Sequence, residues 1–349
     1  MILNQPEPGD NSRLKILAVI LTILGLSLFG YFIYEAGINE IWNGISRLGW
    51  GFLLLIALYA LKLGTRAGAW TLSLEKPYRL GFFEAYRAVM MGEALTAIIP
   101  LGILTSGTTK AVAVRKHLPL VVGLSSVAVE NLFYSLATAV LFLSGGVMFV
   151  ILFQPTGSAA LGCFALIAIV LALIIGGFLM VIYQWRFASN FTNWLYNRNV
   201  ATRILHNGRQ EVLRFENLIY GFYRHQPNRF LPIILLETIF HGLGILEVWI
   251  ILAAISDVSI HFSTALLLES VNHIVLFVFK LIPFALGVDE AGARFITDAL
   301  ELGAGVGVTM AIIRKGRVLL WTFFGIIFIA QSGFSLGEIN AEPKTATND

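Results

Sequence analysis

Two long apolar regions of this chain are broken in the same way. Ile99-Pro100-Leu101-Gly102 interrupts the first and runs on to Thr105-Ser106-Gly107-Thr108-Thr109-Lys110. Ile282-Pro283-Phe284-Ala285-Leu286-Gly287-Val288-Asp289-Glu290 interrupts the second. Proline removes a backbone donor and glycine favours a turn, so each break ends a helix. A short polar helical piece follows each break, and then a long, mostly apolar stretch. Broken helices at matching places in two halves of a chain predict paired hairpins near the middle of a membrane.

The rest of the chain supports a membrane setting. It is 57% hydrophobic and only 13% charged, against roughly a quarter charged in soluble domains. The clearest apolar windows, 14–34, 50–74, 159–183, 230–255 and 318–329, mostly reach spanning length. The first is too long for a signal-peptide core and lacks a small-residue cleavage site, so it reads as a helix. Cys163, alone in an apolar run, forms neither a disulfide nor a thiolate metal site. Glycine-rich nucleotide loops, Walker sequences and nucleophile elbows are absent from the sequence, which excludes an ATP motor within this chain.

Charge placement orients the path. Between Gln184 and Arg229 lie seven arginines against two glutamates. Basic residues beside spanning segments favour the cytoplasm, as do Lys76, Arg79, Arg87, Arg115 and Lys116. The segment 35–49, read as a loop, and the uncharged 154–158 suit the outside. The expected fold is a single all-α polytopic membrane domain over 1–349, with about six full transmembrane helices and two re-entrant broken-helix hairpins. Helices are expected near 14–34, 50–74, 119–152, 159–184, 230–255 and 304–336, with hairpins at 82–100/107–117 and 263–283/287–301. Repeat 1 (about 50–152) and repeat 2 (about 230–336) flank the basic connector 184–229, and a polar tail covers 337–349. Pro100 to Glu130 is thirty residues and Pro283 to Arg314 thirty-one. This path makes the repeats inverted and the N-terminus cytoplasmic, in the cell (inner) membrane. If Arg314, Lys315 and Arg317 instead mark a cytoplasmic loop, the C-terminus lies outside and the repeats are parallel.

Ionisable residues inside a membrane mark functional sites, since each costs several kcal/mol to insert. Arg66, Glu93, Lys110 and Glu130 gather around the first break. Glu237, His241, Glu247, Glu269, His273, Lys280, Asp289, Glu290 and Arg294 occupy the second half. Thr105 to Thr109 are placed to cap the helix after the first break, with Lys110 in its first turn, a phosphate-binding arrangement. Thr108, Thr109 and Lys110 are thus candidates for a phosphate and Arg66 for a second cation, with Glu93, Glu130 and Glu290 poising charge or meeting an amine. Asp289 and Glu290 open the second short helix and Arg294 follows one turn later. The pairs Glu237/His241 and Glu269/His273 have the spacing of metal ligands, but the His-Glu-x-x-His signature is missing; no metal or other cofactor is expected.

Gly92-Glu93-Ala94-Leu95-Thr96-Ala97-Ile98-Ile99-Pro100-Leu101-Gly102, with Lys110 and Ser125-Ser126-Val127-Ala128-Val129-Glu130 beyond it, resembles the transmembrane flippase region of the lysylphosphatidylglycerol synthase family. Arg66 with Trp70, and Pro283 to Glu290, resemble the same family, over nearly the whole chain. The resemblance implies movement of a membrane lipid with a polar head group between leaflets. Family members often carry paired glycines and an acidic residue where Ser106-Gly107-Thr108-Thr109 stands, so a different head group is implied. The short tail leaves no soluble aminoacyl-transfer domain, so no enzymatic activity is expected, although a lipid-synthesising partner fits the connector. Nucleic acid is not an expected partner. A transporter of a small polar solute and a membrane-embedded enzyme of lipid or isoprenoid metabolism remain alternatives.

Overall fold

A computed structural model describes residues 24, 26–99, 102–198, 202–279 and 282–332. These residues are mostly helical, with no strand among them. A helical stretch ending at residue 36 precedes Gly37, and the N-terminal part of the first expected span lies outside the described residues. Then come α1 (Ile38–Leu48), α2 (Gly51–Leu72), α3 (Phe82–Ile98), α4 (Gly102–Ala113), α5 (Leu120–Phe153) and α6 (Gly157–Ile182). The connector supplies α7 (Phe187–Asn197) and α8 (Thr202–His225). The second half supplies α9 (Phe230–Ile255), α10 (Phe262–Val278), α11 (Val288–Ala299) and α12 (Ala304–Gln331). The polar tail 337–349 and Lys280 lie outside the described residues.

Four of these helical segments are long and apolar enough to cross a membrane: Gly51–Leu72, Leu120–Phe153, Ala160–Gly177 and Pro227–Ile255. None of the Ala160–Gly177 window is buried against protein, so Leu161, Leu166 and Leu173 face outward, as lipid contact requires. At 1.5 Å per residue, the 34 residues of α5 span about 51 Å, more than the roughly 30 Å hydrocarbon core. That length lets it join an outer end of the molecule to an inner one.

The two halves pack reciprocally. The long helix α5 of the first half lies against α10 of the second, and α12 lies against α3 of the first. α2 and α9 form the central pair. They run antiparallel: Arg229 donates to Leu72 O and Leu74 O, Gly68 meets Leu236, and Gly244 meets Lys62. Equivalent helices that pair antiparallel imply an inverted relation between the halves. The second break also reaches the first hairpin, through the 3-10 turn Pro283–Ala285 against α3.

Two sequence expectations need correction, and one alternative reading falls away. The segment 35–49 is not a loop but contains α1, whose Ile41, Gly44 and Leu48 are buried at helical spacing. Arg314, Lys315 and Arg317 mark no loop, because α12 runs unbroken through them. The helix after the first break starts at Gly102 rather than near 107. Backbone groups away from water must find partners internally, so the helix extends toward the break instead of waiting for the first capping side chain.

Each reciprocal contact has a glycine packed closely against the partner helix. Gly145 of α5 lies against Ser270 of α10, and a Cβ on Gly325 of α12 would stand 2.7 Å from Met90 O of α3. Small residues allow such approach where no hydrophobic effect drives helices together. Gly325→Val is expected to destabilise the purified protein by about 1–3 kcal/mol through overpacking. Gly176→Val, on α6 with open space around it, is expected to stay within about 0.5 kcal/mol of wild type. Thermal unfolding in detergent checks both, and equal midpoints would refute the close packing of α12 on α3.

Candidate functional site

Arg66 and Trp70 sit one turn apart on α2 and point at α5. Trp70 Nε1 donates to Ser126 Oγ at 2.9 Å. Arg66 donates to Glu130 Oε1 through Nε at 2.7 Å, and its Nη2 lies 2.6 Å from the same oxygen as an ion pair. Lys110 Nζ approaches the other oxygen, Oε2, at 3.5 Å. Glu130 is thus clasped by a cation on each side, and all three groups are buried. The guanidinium also lies 4.2 Å from the centre of the Tyr134 ring, a favourable cation–π position. Glu93 completes the group at 3.9 Å from Arg66, and with 34% of its side chain exposed it is the one member open to the surroundings.

A second array lies across the central helix pair. Arg314 bonds Glu269 at 2.9 Å and lies 4.0 Å from Glu247, which also holds Arg317. Lys62, one turn before Arg66, lies 3.9 Å from Glu269. Lys315 bridges Asp289 and Glu290 at 3.0 and 2.8 Å. With its amide turned to satisfy its neighbours, Asn272 donates to Asp289 at 2.6 Å and accepts from Arg314 at 3.1 Å. Among these residues charge balances twice: Arg66 and Lys110 against Glu93 and Glu130, then Lys62, Arg314, Lys315 and Arg317 against Glu247, Glu269, Asp289 and Glu290.

The structure therefore gathers Arg66, Glu93, Lys110 and Glu130, as the sequence suggested, but not around a helix N-terminus. Thr108 and Thr109 lie in the second turn of α4 and Lys110 in its last turn, where its charge meets the negative end of the helix dipole. At the second break, Asp289 and Glu290 are occupied by Lys315, and Glu290 also accepts from Gly287 N at 2.8 Å. Arg294 stands apart from them, bound to Glu35 and Asp298. The residues of the first break thus come together as one cluster of side chains, while at the second break the two carboxylates are tied to Lys315. Lys62 was overlooked, although Lys62 and Arg66 at four-residue spacing mark one polar stripe on an apolar helix. Arg314, Lys315 and Arg317 were read as a question of topology rather than as members of a site. Among the described residues no three His, Cys, Asp or Glu side chains converge as a metal site needs.

A phosphate oxygen makes the same charge-assisted bonds to guanidinium and ammonium as a carboxylate does, so Arg66 and Lys110 have the chemistry to bind a phosphate as they bind Glu130. Removing one partner of a buried pair leaves an uncompensated charge and costs about 3–5 kcal/mol. Glu130→Gln is expected to destabilise the protein by that order, whereas Glu93→Gln, partly exposed, is expected to change stability by less than about 1 kcal/mol. Chemical or thermal unfolding in detergent checks the contrast; equal effects would show that Glu130 is not the keystone.

No curated protein and no solved structure matches this chain. A family pattern does match, over residues 15–326, from the first apolar run through both broken hairpins and both charge arrays into α12. The chain belongs to the family of the lysylphosphatidylglycerol synthase TM region.

Proposed function

We propose that this protein carries a lipid with a phosphate-bearing head group from one membrane leaflet to the other, as a translocator and not as an enzyme. The observation that carries the reading is the Arg66–Glu130–Lys110 clasp: two buried cations whose shared anion is a displaceable side chain. The family gives a membrane protein with a lipid-related role, and the clasp supplies a receptor for the polar part of a lipid. Its acyl or prenyl tails stay in the bilayer, against outward-facing apolar helices such as α6.

In this mechanism the head group approaches past Glu93, takes the place of Glu130 on Arg66 and Lys110, and leaves by the other face as the hairpins exchange positions. The hairpin pairs α3/α4 and α10/α11 alternate as gates because each is braced by the long helix of the opposite half. The basic end of the molecule is cytoplasmic by the positive-inside rule. It carries Lys76, Arg79, Arg115, Lys116 and the connector, tied to Glu75 through His225. That orientation puts the N-terminus in the cytoplasm of a cell whose inner membrane holds the protein, and leaves the connector free to receive a lipid-synthesising enzyme.

Transport is read in vesicles of phosphatidylcholine containing tail-labelled fluorescent phosphatidylglycerol, with dithionite bleaching the outer leaflet only. A charge-assisted contact worth about 1.5–3 kcal/mol corresponds to roughly ten- to hundredfold in rate or affinity. Lys110→Met at normal abundance is expected to slow probe movement by that factor. A variant that keeps the wild-type rate would remove the phosphate assignment.

A further inference from the structure

Among the described residues two buried carboxylates stand outside both balanced arrays: Glu216, which accepts from Ser189, and Glu237. Glu237 lies on α9, is 0% exposed, and neither of its oxygens has a hydrogen-bond partner among the described residues. The cations within electrostatic reach, Arg66 and Lys110, are already committed to Glu130 and Glu93. An ionised Glu237 would be an unpaired charge in an apolar interior, which proteins avoid by neutralising the group.

The next turn of α9 offers a place for its proton. His241 is buried, four residues on, and Glu237 and His241 share a helix face. Thr138 spends its hydroxyl hydrogen on Tyr134 O at 2.8 Å. Toward His241 Nε2, 3.1 Å away, Thr138 can therefore only accept, which puts the ring hydrogen on Nε2. Nδ1 is then an empty acceptor, and it has no partner among the described residues. The ring of His273 stands 5.1 Å from that of His241, edge to face. His273 Nδ1 donates to Glu269 O at 3.0 Å, so in the neutral ring Nε2 is again an empty acceptor. Glu269 lies just beyond, 3.6 Å from His273 and bonded to Arg314.

We propose that Glu237, His241 and His273 form a proton-carrying relay between the first charge array and the second, and that the proton drives head-group movement. Glu237 holds a proton on its carboxyl. In the forward step its O–H bond breaks, His241 Nδ1 gains the proton, and a carboxylate and an imidazolium result. The His241 Nδ1–H bond then breaks and its proton passes to His273 Nε2, leaving His241 neutral with its Nε2 hydrogen still on Thr138. His273, protonated on both nitrogens, releases its Nδ1 proton to Glu269 Oε1, 3.6 Å away, and returns to neutral. The charged groups facing the relay fix its ends. From α2 come Lys62 and Arg66, and from α5 Glu130. α10 supplies Glu269, while α12 presents Arg314 and Arg317 to it and to Glu247 of α9 itself. Behind Glu130, α3 and α4 contribute Glu93 and Lys110. α1 meets the far end of α9, where Arg47 pairs with Asp257, and at the near end Arg229 is held by the backbone of Leu72 and Leu74. Neither flanking arginine enters the relay.

The coupling half of this proposal rests on the translocator reading; the proton site does not, and two measurements keep them apart. Infrared difference spectra of the reconstituted protein are expected to show a neutral carboxyl C=O band near pH 7 that disappears in Glu237→Gln. Identical spectra would overturn the proton site. In the phosphatidylglycerol vesicles, a gradient of one pH unit is expected to shift the leaflet ratio of the probe by up to about tenfold for one proton per lipid. Glu237→Gln is expected to lose that shift, and Glu237→Asp, which restores an ionisable carboxyl, to recover part of it. A Glu237→Gln protein that follows the gradient like wild type, or a wild type that moves probe yet ignores the gradient, would overturn the coupling. If wild type moves no probe at all, the translocator reading fails, the coupling falls with it, and the infrared spectra alone decide the proton site.

Discussion

The ion pair between Arg66 and Glu130 sets the terms for the rest of this molecule. An arginine on an apolar helix can be kept in a bilayer only if another segment supplies its anion, and Glu130 does so from a helix 64 residues away. Because Glu130 also holds Lys110, the same carboxylate fixes α2, α4 and α5 relative to one another. Trp70 and Ser126 repeat the α2–α5 register one turn further along. A shift of one residue in either helix would break both contacts at once. The dispersion contacts of Leu63, Ala67 and Val127 around them are numerous but not directional, so the ion pair and the indole bond select among packings that apolar surfaces alone would tolerate.

The reciprocal packing of the two halves turns this local requirement into an architecture. In each half a hairpin of two short helices is followed by a long helix, and each long helix packs both on the second helix of its own hairpin and on the first helix of the other. Neither hairpin can therefore move without disturbing a helix that belongs to the opposite half. The charges are distributed with the same logic but opposite sign. Glu130 of α5 and Arg314 of α12 stand at corresponding distances beyond their breaks, the first an anion held by two cations, the second a cation held by two anions. An inverted repeat with inverted charge gives two arrays that are each neutral and face each other across α2 and α9.

Much of this was legible in the residues. The two Pro-Gly breaks located both hairpins, and the apolar runs located α2, α6 and α9 to within a few residues, because a bilayer demands length and hydrophobicity that a sequence states directly. Arg66, Glu93, Lys110 and Glu130 were selected as one cluster because charges in an apolar run need partners. What failed were inferences borrowed from soluble proteins. Thr105 to Thr109 looked like a cap, yet the helix already runs from Gly102, since no water stands by to satisfy the backbone that a later start would leave open. Asp289, Glu290 and Arg294 looked like one site, but Lys315 lies 26 residues from Asp289 and Arg294 turns to Glu35 instead. Such partners are set by helix packing, and a single sequence does not reveal which of several cations will meet a given carboxylate. α1, with its buried stripe of Ile41, Gly44 and Leu48, was legible by periodicity and was obscured by its charges.

Charge conservation connects the clasp to the relay. A phosphodiester head group brings one negative charge into the first array, where two cations already balance two carboxylates. If it displaces Glu130, the array holds one anion too many, and an excess buried charge is as unfavourable as the missing partner it replaced. A proton is the counter-ion that can reach a carboxylate through packed side chains, because it passes from acceptor to acceptor without a pore. Glu237 already holds such a proton beside Arg66 and Lys110, with the two histidine acceptors behind it. A proton returned from the second array through His273 and His241 replaces the one that Glu237 gives to the displaced Glu130, so the first array stays neutral while the phosphate is bound. The forward step withdraws that proton and lets Glu130 reclaim its cations and expel the phosphate. Coupling then needs no separate device: it follows from the refusal of an apolar interior to hold an unpaired charge.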